Sequence, residues 1–202
     1  MGKYVGKPIG VENLTWIPWE YDSDTSKWKY GTAVPLARAI EIKMSPQMIN
    51  GLLESDNGVE DDISLMQSVE VDIHASQLSD AVRAALLGHE LDDDGGMTVK
   101  STDVAQKGAL AFKALLSKQS GDDLYKYVVL YMGSFREFEE TFRTMERSGV
   151  TFQTHQGLVG TFVPREEDRA LYYSLRGDEA ESTASTKITN WFTAPQEAVT
   201  GT

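Results

Sequence analysis

Residues 69–74 read VEVDIH, and apolar and polar side chains alternate through the whole stretch. Successive side chains of an extended strand point to opposite faces, so Glu70, Asp72 and His74 share one face. The intervening valines and isoleucine form the other face. Such alternation is typical of an antiparallel sheet that buries one face and exposes the other to water. The stretch therefore predicts a mainly β domain.

The preceding segment, 39–44 (AIEIKM), has the same pattern. It places Ile40, Ile42 and Met44 on an apolar face and Glu41 on a polar face. Other segments with strand-forming composition are 110–116, 125–132, 150–164 and 170–175. Together these segments predict a sheet of several antiparallel strands.

Two of these segments have further features. Segment 125–132 (YKYVVLYM) is apolar on both faces, which indicates a central strand. Segment 150–164 contains Gly157 and Gly160, where a bend or a bulge is expected.

One helix is predicted at about residues 77–87. Ser76 is a candidate N-cap, Gly88 lies just past the end, and apolar side chains recur at helical spacing between them. A second, shorter helix is expected at 187–192. The chain shows no alternation of strands and helices, so the predicted fold is a single domain over residues 1–202. We expect an antiparallel β-sandwich or partly open barrel with one flanking helix.

Three segments are predicted to be irregular, namely 18–30, 50–62 and 177–186. The first forms an aromatic arm after an N-terminal strand (residues 1–30), the second is a long acidic loop, and the third begins a C-terminal linker and arm (177–202). A second acidic stretch, 90–96 (ELDDDGG), resembles a calcium loop only partly, because Ser101 stands where a bidentate Glu is required. We interpret it as an acidic turn.

The composition restricts the function. The chain of 202 residues has 19 basic and 31 acidic side chains, a net charge of −12, which argues against binding nucleic acid through phosphate contacts. There is no cysteine, which excludes disulfides and thiolate metal sites. The N-terminal sequence MGKYVGKPIG lacks the apolar region of a signal peptide, and no apolar run is long enough to span a membrane. No catalytic motif is present, so neither an enzyme nor a cofactor is expected.

Aromatic side chains are concentrated near both ends of the chain. The relevant residues are Trp16, Trp19, Trp28, Trp191 and Phe192. Aromatics in terminal segments act as interface anchors in some proteins, and in others they fold back onto their own core. The sequence leaves both alternatives open.

The order of several segments resembles a known family. These segments are 30–36 (YGTAVPL), 55–58 (SDNG), the acidic stretch and helix that follow, 126–131 (KYVVLY), 160–165 (GTFVPR) and 190–192 (NWF). Over about residues 11–194 this order resembles the major tail proteins of long-tailed, non-contractile bacteriophages. The resemblance implies a β-sandwich subunit that forms hexameric rings, and these rings stack into a hollow tail tube that conducts the genome. It also implies assembly in the bacterial cytoplasm, with tape-measure, baseplate (distal tail) and tail terminator proteins as partners.

Under that resemblance, the polar strand faces supply candidates for the tube lining, namely Glu41, Glu70 and Asp72. An anionic lining would leave DNA mobile, whereas a cationic one would hold it. The acidic loop supplies candidates for contacts between rings, namely Glu54, Asp56, Asn57, Glu60, Asp61 and Asp62. Lys43, Arg136 and Arg143 are candidate basic partners of these acids on a neighbouring ring.

Two other functions remain as alternatives. One is an acidic β-sandwich that binds a carbohydrate or protein on a virion or cell surface. The other is a hydrolase with a dispersed carboxylate site, because the 31 acidic residues make chance pairs of carboxylates easy.

Overall fold

A computed structural model describes residues 5–55, 58–117, 123–138, 140, 144, 155–178 and 184–197, with the backbone alone at 52–55, 58–61 and 155–156. Within these residues the chain forms eleven strands and two helices. They are β1 (Pro8–Asp22), β2 (Lys27–Tyr30), β3 (Val34–Pro35), β4 (Ala39–Ser55), β5 (Gly58–Ala75), α1 (Asp80–Leu87), β6 (Glu90–Leu91), β7 (Met97–Thr98), β8 (Gly108–Leu116), β9 (Leu124–Phe135), β10 (His155–Val163), β11 (Tyr172–Arg176) and α2 (Ser185–Thr189). The predicted mainly β fold is confirmed, and the second, shorter helix expected at 187–192 is present as α2 at Ser185–Thr189.

One antiparallel sheet contains most of the strands. Its order is β2-β1-β8-β9-β10-β5-β4, with β3 also paired to β1 and β11 also paired to β9. Side chains from β1 and from β4, near opposite ends of this order, pack into the same apolar cluster. The sheet must therefore curl around that cluster. Of the two predicted arrangements, a β-sandwich and a partly open barrel, the curled sheet corresponds to the barrel.

The core inside the curled sheet confirms the alternation at 69–74. Val69, Val71 and Ile73 are completely buried, together with Phe162 of β10 and Leu130 of β9. By contrast, Ile40 is largely exposed, so its predicted burial is wrong. A register shift between Ala39 and Glu41 turns its side chain outward, while Ile42 and Met44 still pack against the core.

Strand β9 is central, as predicted. Val128 and Leu130 point into the cluster inside the barrel, while Val129 and Tyr131 belong to a second cluster on the outer face. The outer cluster also contains Trp191, which lies after α2. The C-terminal segment thus covers the outer face of the sheet.

Glycines permit close packing in β9 and β10. A Cβ atom at Gly133 would overlap the Phe162 ring, and one at Gly160 would lie 2.8 Å from the Phe135 ring. The predicted bulge occurs at Gly157, which has φ of 81° and lies within the register shift between His155 and Leu158.

Helix α1 begins later than predicted. Its N-cap is Ser79 and not Ser76, and the Val82 backbone N–H donates to the Ser79 hydroxyl at 3.4 Å. Its C-cap is Gly88 in the left-handed conformation, as expected.

Two of the segments predicted to be irregular are strands. Segment 18–30 is a β-hairpin, because Trp19 pairs with Tyr30 and Tyr21 with Trp28 across β1 and β2. In segment 50–62, β4 and β5 pair continuously up to Ser55 and Gly58. Cross-strand pairing therefore overrides the acidic, glycine-containing composition, and the prediction of a long loop is wrong.

The second acidic stretch is a turn, as interpreted. Strands β6 and β7 form a small hairpin, and Asp92 Oδ1 accepts hydrogen bonds from the backbone N–H groups of Asp94 (3.1 Å) and Gly96 (2.6 Å). The carboxylate thus stabilises the turn from within.

Strand β4 is the last strand in the sheet order, and within the described residues its outer edge pairs with no other strand. This edge is interrupted. Pro46 lies within the strand, and register shifts occur at 39–41, 47–48 and 53–54. Proline and bulges are devices that restrict pairing at an edge.

Candidate assembly surfaces

The three predicted tube-lining residues lie on one face of the sheet. Glu70 and Asp72 of β5 point away from the core, and Glu41 of β4 lies directly opposite His74 of the same face. We call this surface the polar face, made of Glu41, Lys43, Glu70, Asp72, His74 and Arg136. The grouping predicted from strand alternation is therefore present.

Basic side chains also lie on the polar face. Lys43 is the cross-strand neighbour of Asp72, and Arg136 Nη2 is 4.0 Å from Glu70 Oε2. His74 lies between two acids, with Nδ1 3.7 Å from Glu41 Oε2 and Nε2 3.9 Å from Asp72 Oδ1. Lys43 and Arg136 thus neighbour acids of their own chain, and Arg143 lies outside the described residues. The face is less negative than its acids alone indicate.

The distal parts of β4 and β5 form an arm. Strand β5 pairs with β10 only from Val69 to Ala75. N-terminal to Val69, its only partner among the described strands is β4. We call residues 47–66 the arm. Their only partner strands among the described residues are each other. The arm is therefore a two-stranded ribbon that leaves the body of the sheet.

The arm exposes apolar side chains. Ile49 and Leu65 are cross-strand neighbours that are 52% and 64% exposed, and Ile63 lies further along the same face. The opposite face carries Met48 and Met66, both exposed, and a hydrogen bond of 2.8 Å from the Ser64 hydroxyl to Asn50 Oδ1. An isolated two-stranded ribbon is only marginally stable in water, so this surface is suited to covering by a partner.

The inter-ring candidates lie at the distal end of the arm. Glu54 lies in β4, Glu60 and Asp61 lie in β5, and Asp62 is exposed in β5. Asp56 and Asn57 lie outside the described residues. The four described acids are thus carried by strands and not by a long loop.

The aromatic candidates divide into buried and exposed groups. Trp16 and Trp191 are completely buried in the chain's own core, so for these two residues the alternative of folding back onto the core holds and an anchor role does not. Trp19 packs edge-on against Tyr30, with ring centroids 4.6 Å apart, and is partly buried. Trp28 is 58% exposed at the β1–β2 hairpin. Only Trp28 keeps the exposure that an anchor requires.

Phe192 is partly buried beside a cleft where the barrel is open. The cleft has a volume of about 850 Å³ and lies between β1 and the connection from β3 to β4. Its lining includes Glu12, Asn13, Leu14, Leu36, Arg38 and Phe192. The cleft thus marks the opening between the two sides of the curled sheet.

The C-terminal segment is fixed by polar contacts that the sequence did not reveal. Arg165 pairs with Glu197 at 2.7 Å, and its guanidinium lies 4.0 Å from the Tyr131 ring centroid. The Tyr131 hydroxyl donates to the Gln196 carbonyl at 2.8 Å, and burial raises the pKa of Tyr131 to about 12. Burial disfavours the charged form of Arg165 and by itself would lower its pKa. The hydrogen bonds that Arg165 donates to Asp168 and Glu197 outweigh this effect, so the pKa is raised.

Comparison with models of known protein families gives no match, and comparison with curated proteins gives none either. Among the described side chains, no group of three or more His, Cys, Asp or Glu is arranged to hold a metal ion. The same part of the chain contains no helix that is both long and apolar enough to cross a membrane.

Proposed function

We propose that this chain is a structural subunit that assembles with copies of itself into stacked rings and forms the tail tube of a non-contractile bacteriophage. In this proposal the rings are hexameric, and the tube is a part of the virion. It is built in the bacterial cytoplasm around a tape-measure protein, between distal tail and terminator proteins. The order of segments that resembles major tail proteins supports the assignment, and so does the curled antiparallel sheet with a flanking helix.

The observation that carries the proposal is the arm. It exposes Ile49, Ile63 and Leu65, and among the described residues its two strands pair only with each other in this part of the sheet. A single copy leaves this apolar ribbon in water, whereas a neighbouring copy can cover it. The outer edge of β4, which pairs with no other strand in the described part of the chain, adds a second surface. Two different unpartnered surfaces on one chain suit head-to-tail association, which closes into rings or extends into filaments.

The first test uses the purified full-length chain. We expect tubes with a regular ring repeat by negative-stain microscopy, or hexamers by light scattering whose population changes with salt. A protein that stays strictly monomeric at high concentration would contradict the proposal.

The polar face is the proposed tube lining. Changing Glu70→Lys together with Asp72→Lys is expected to leave assembly intact and to make the tubes retain short duplex DNA, because cations bind phosphates and release counterions. Co-sedimentation of DNA with tubes, measured at increasing salt, gives the readout. The matched control is Glu166→Lys with Glu167→Lys, the same charge change at exposed residues of a turn. If both variants retain DNA equally, the polar face does not line the tube.

One observation favours the binding-module alternative. Tyr21 and Trp28 are 55% and 58% exposed and lie edge-on, with ring centroids 5.6 Å apart. Exposed aromatic side chains are common in binding surfaces. A monomer that binds a glycan array, and loses that binding on Trp28→Ala, would support this second function over the first.

A further inference from the structure

His89 is a buried histidine with a carboxylate at each ring nitrogen. It follows the C-cap of α1, and its side chain is only 4% exposed. Nδ1 lies 2.8 Å from Asp103 Oδ2, and Nε2 lies 2.9 Å from Glu137 Oε2. The ring therefore connects three separate segments: the end of α1, the chain after β7 and the chain after β9.

Other charged groups surround this contact. Arg83 of α1 donates to Glu137 Oε1 at 2.6 Å and to Glu140 Oε2 at 2.8 Å. The backbone N–H of Lys100 donates to Asp103 Oδ2 at 2.8 Å, while the Lys100 side chain pairs with Glu90. Among the described residues, the contact thus lies in a network of acids and bases from several segments.

Both carboxylates are hydrogen-bond acceptors in mildly acidic and neutral solution. The Lys100 backbone N–H and then His89 lower the pKa of Asp103. Burial opposes ionisation of Glu137, but hydrogen bonds from Arg83 and His89 outweigh it and lower its pKa. Because an ionised carboxylate only accepts, both His89 nitrogens must donate for the two contacts to be hydrogen bonds. Only the imidazolium form has two N–H groups.

We propose that His89 is a proton-dependent clasp, which holds the chain after β9 against α1 and the β7 segment while its ring carries both protons. Loss of one proton leaves a ring lone pair facing a carboxylate, so one of the two links is lost. The clasp is therefore complete while the ring is an imidazolium and both acids are ionised, and it weakens when a rise in pH removes one ring proton. This inference does not depend on the proposed function.

The clasp acts next to a suitable backbone reporter. The Arg136 backbone N–H donates to the Val159 carbonyl at 3.0 Å, immediately before Glu137. Phe138 is buried in the core, and the Arg83 guanidinium lies 4.9 Å from its ring centroid. Exchange of the Arg136 amide therefore reports how firmly this end of β9 is held.

Hydrogen exchange of the full-length chain, measured at about pH 5.5 and about pH 8.5, tests the proposal. After correction for the intrinsic pH dependence of exchange, the peptide covering 133–138 is expected to lose protection by about three- to tenfold at the higher pH. This is the net effect of losing one typical hydrogen bond. Unchanged protection would overturn the clasp.

Two variants assign the effect to His89. Glu137→Gln is expected to abolish the pH dependence and keep the fold, because an amide can donate to a neutral ring or accept from it. His74→Gln removes a half-exposed histidine elsewhere and should behave like the wild type. If Glu137→Gln keeps the full pH dependence, or His74→Gln removes it, the proposal is wrong.

Discussion

Replacing Trp191 with alanine is expected to lower the free energy of unfolding by about 3–5 kcal/mol. Trp191 is completely buried, stacks on Tyr173 with ring centroids 5.6 Å apart, and donates its indole N–H to the Val128 carbonyl at 3.3 Å. The substitution leaves a large cavity under the C-terminal segment and removes the hydrogen bond from the indole to the Val128 carbonyl. Urea unfolding followed by circular dichroism gives the measurement.

Trp28→Ala is the matched control for this substitution. It removes the same side chain from an exposed position, so the expected change is within about 0.5 kcal/mol. Equal losses in the two variants would show that Trp191 does not hold the C-terminal segment on the sheet.

Shortening the arm is expected to abolish assembly without unfolding the subunit. Deletion of residues 51–61 combined with Ile63→Gly leaves Asn50 opposite Ser64, as in the intact arm. Asp62 and the new glycine then form a two-residue hairpin turn, for which Asp-Gly is a favoured sequence. Among the described residues the arm pairs only with itself, so the stability of the remaining protein should change little. Tube formation is followed by negative-stain microscopy, and folding by circular dichroism.

A milder variant separates the apolar surface from the length of the arm. Ile49→Ser with Leu65→Ser keeps the arm but makes one face polar, and it should lose assembly too. The matched control, Val99→Ser with Val104→Ser, changes two exposed valines outside the arm and should assemble normally. A shortened protein that still forms tubes of normal length would refute the role of the arm.

Local patterns predicted much of the fold. The alternation at 69–74 identified the strand, its buried face and the shared face of Glu70 and Asp72, because a half-buried strand reveals its orientation in its sequence. The central position of 125–132 followed in the same way from its two apolar faces. The glycine at 157 correctly marked a bulge.

The remaining features depend on contacts between distant segments. Trp16, Trp28 and Trp191 all lie in aromatic-rich segments near the ends of the chain. Only packing in the folded protein determines that Trp16 and Trp191 are buried and Trp28 is exposed. The arm contains acids and glycine, which favour a loop, but its strands stay paired up to Ser55 and Gly58. The partners of His89 come from residues 14 and 48 positions away in the chain, so no spacing rule could identify them.

The interrupted edge of β4 has a consequence for the free subunit. Pro46 cannot donate a backbone hydrogen bond, and the shifts at 39–41 and 47–48 leave only a short regular stretch between them. An incoming strand can bond to this stretch but cannot pair along the whole edge. Amyloid growth needs such continuous pairing. In the free subunit, continuous edge-to-edge pairing through β4 is therefore disfavoured.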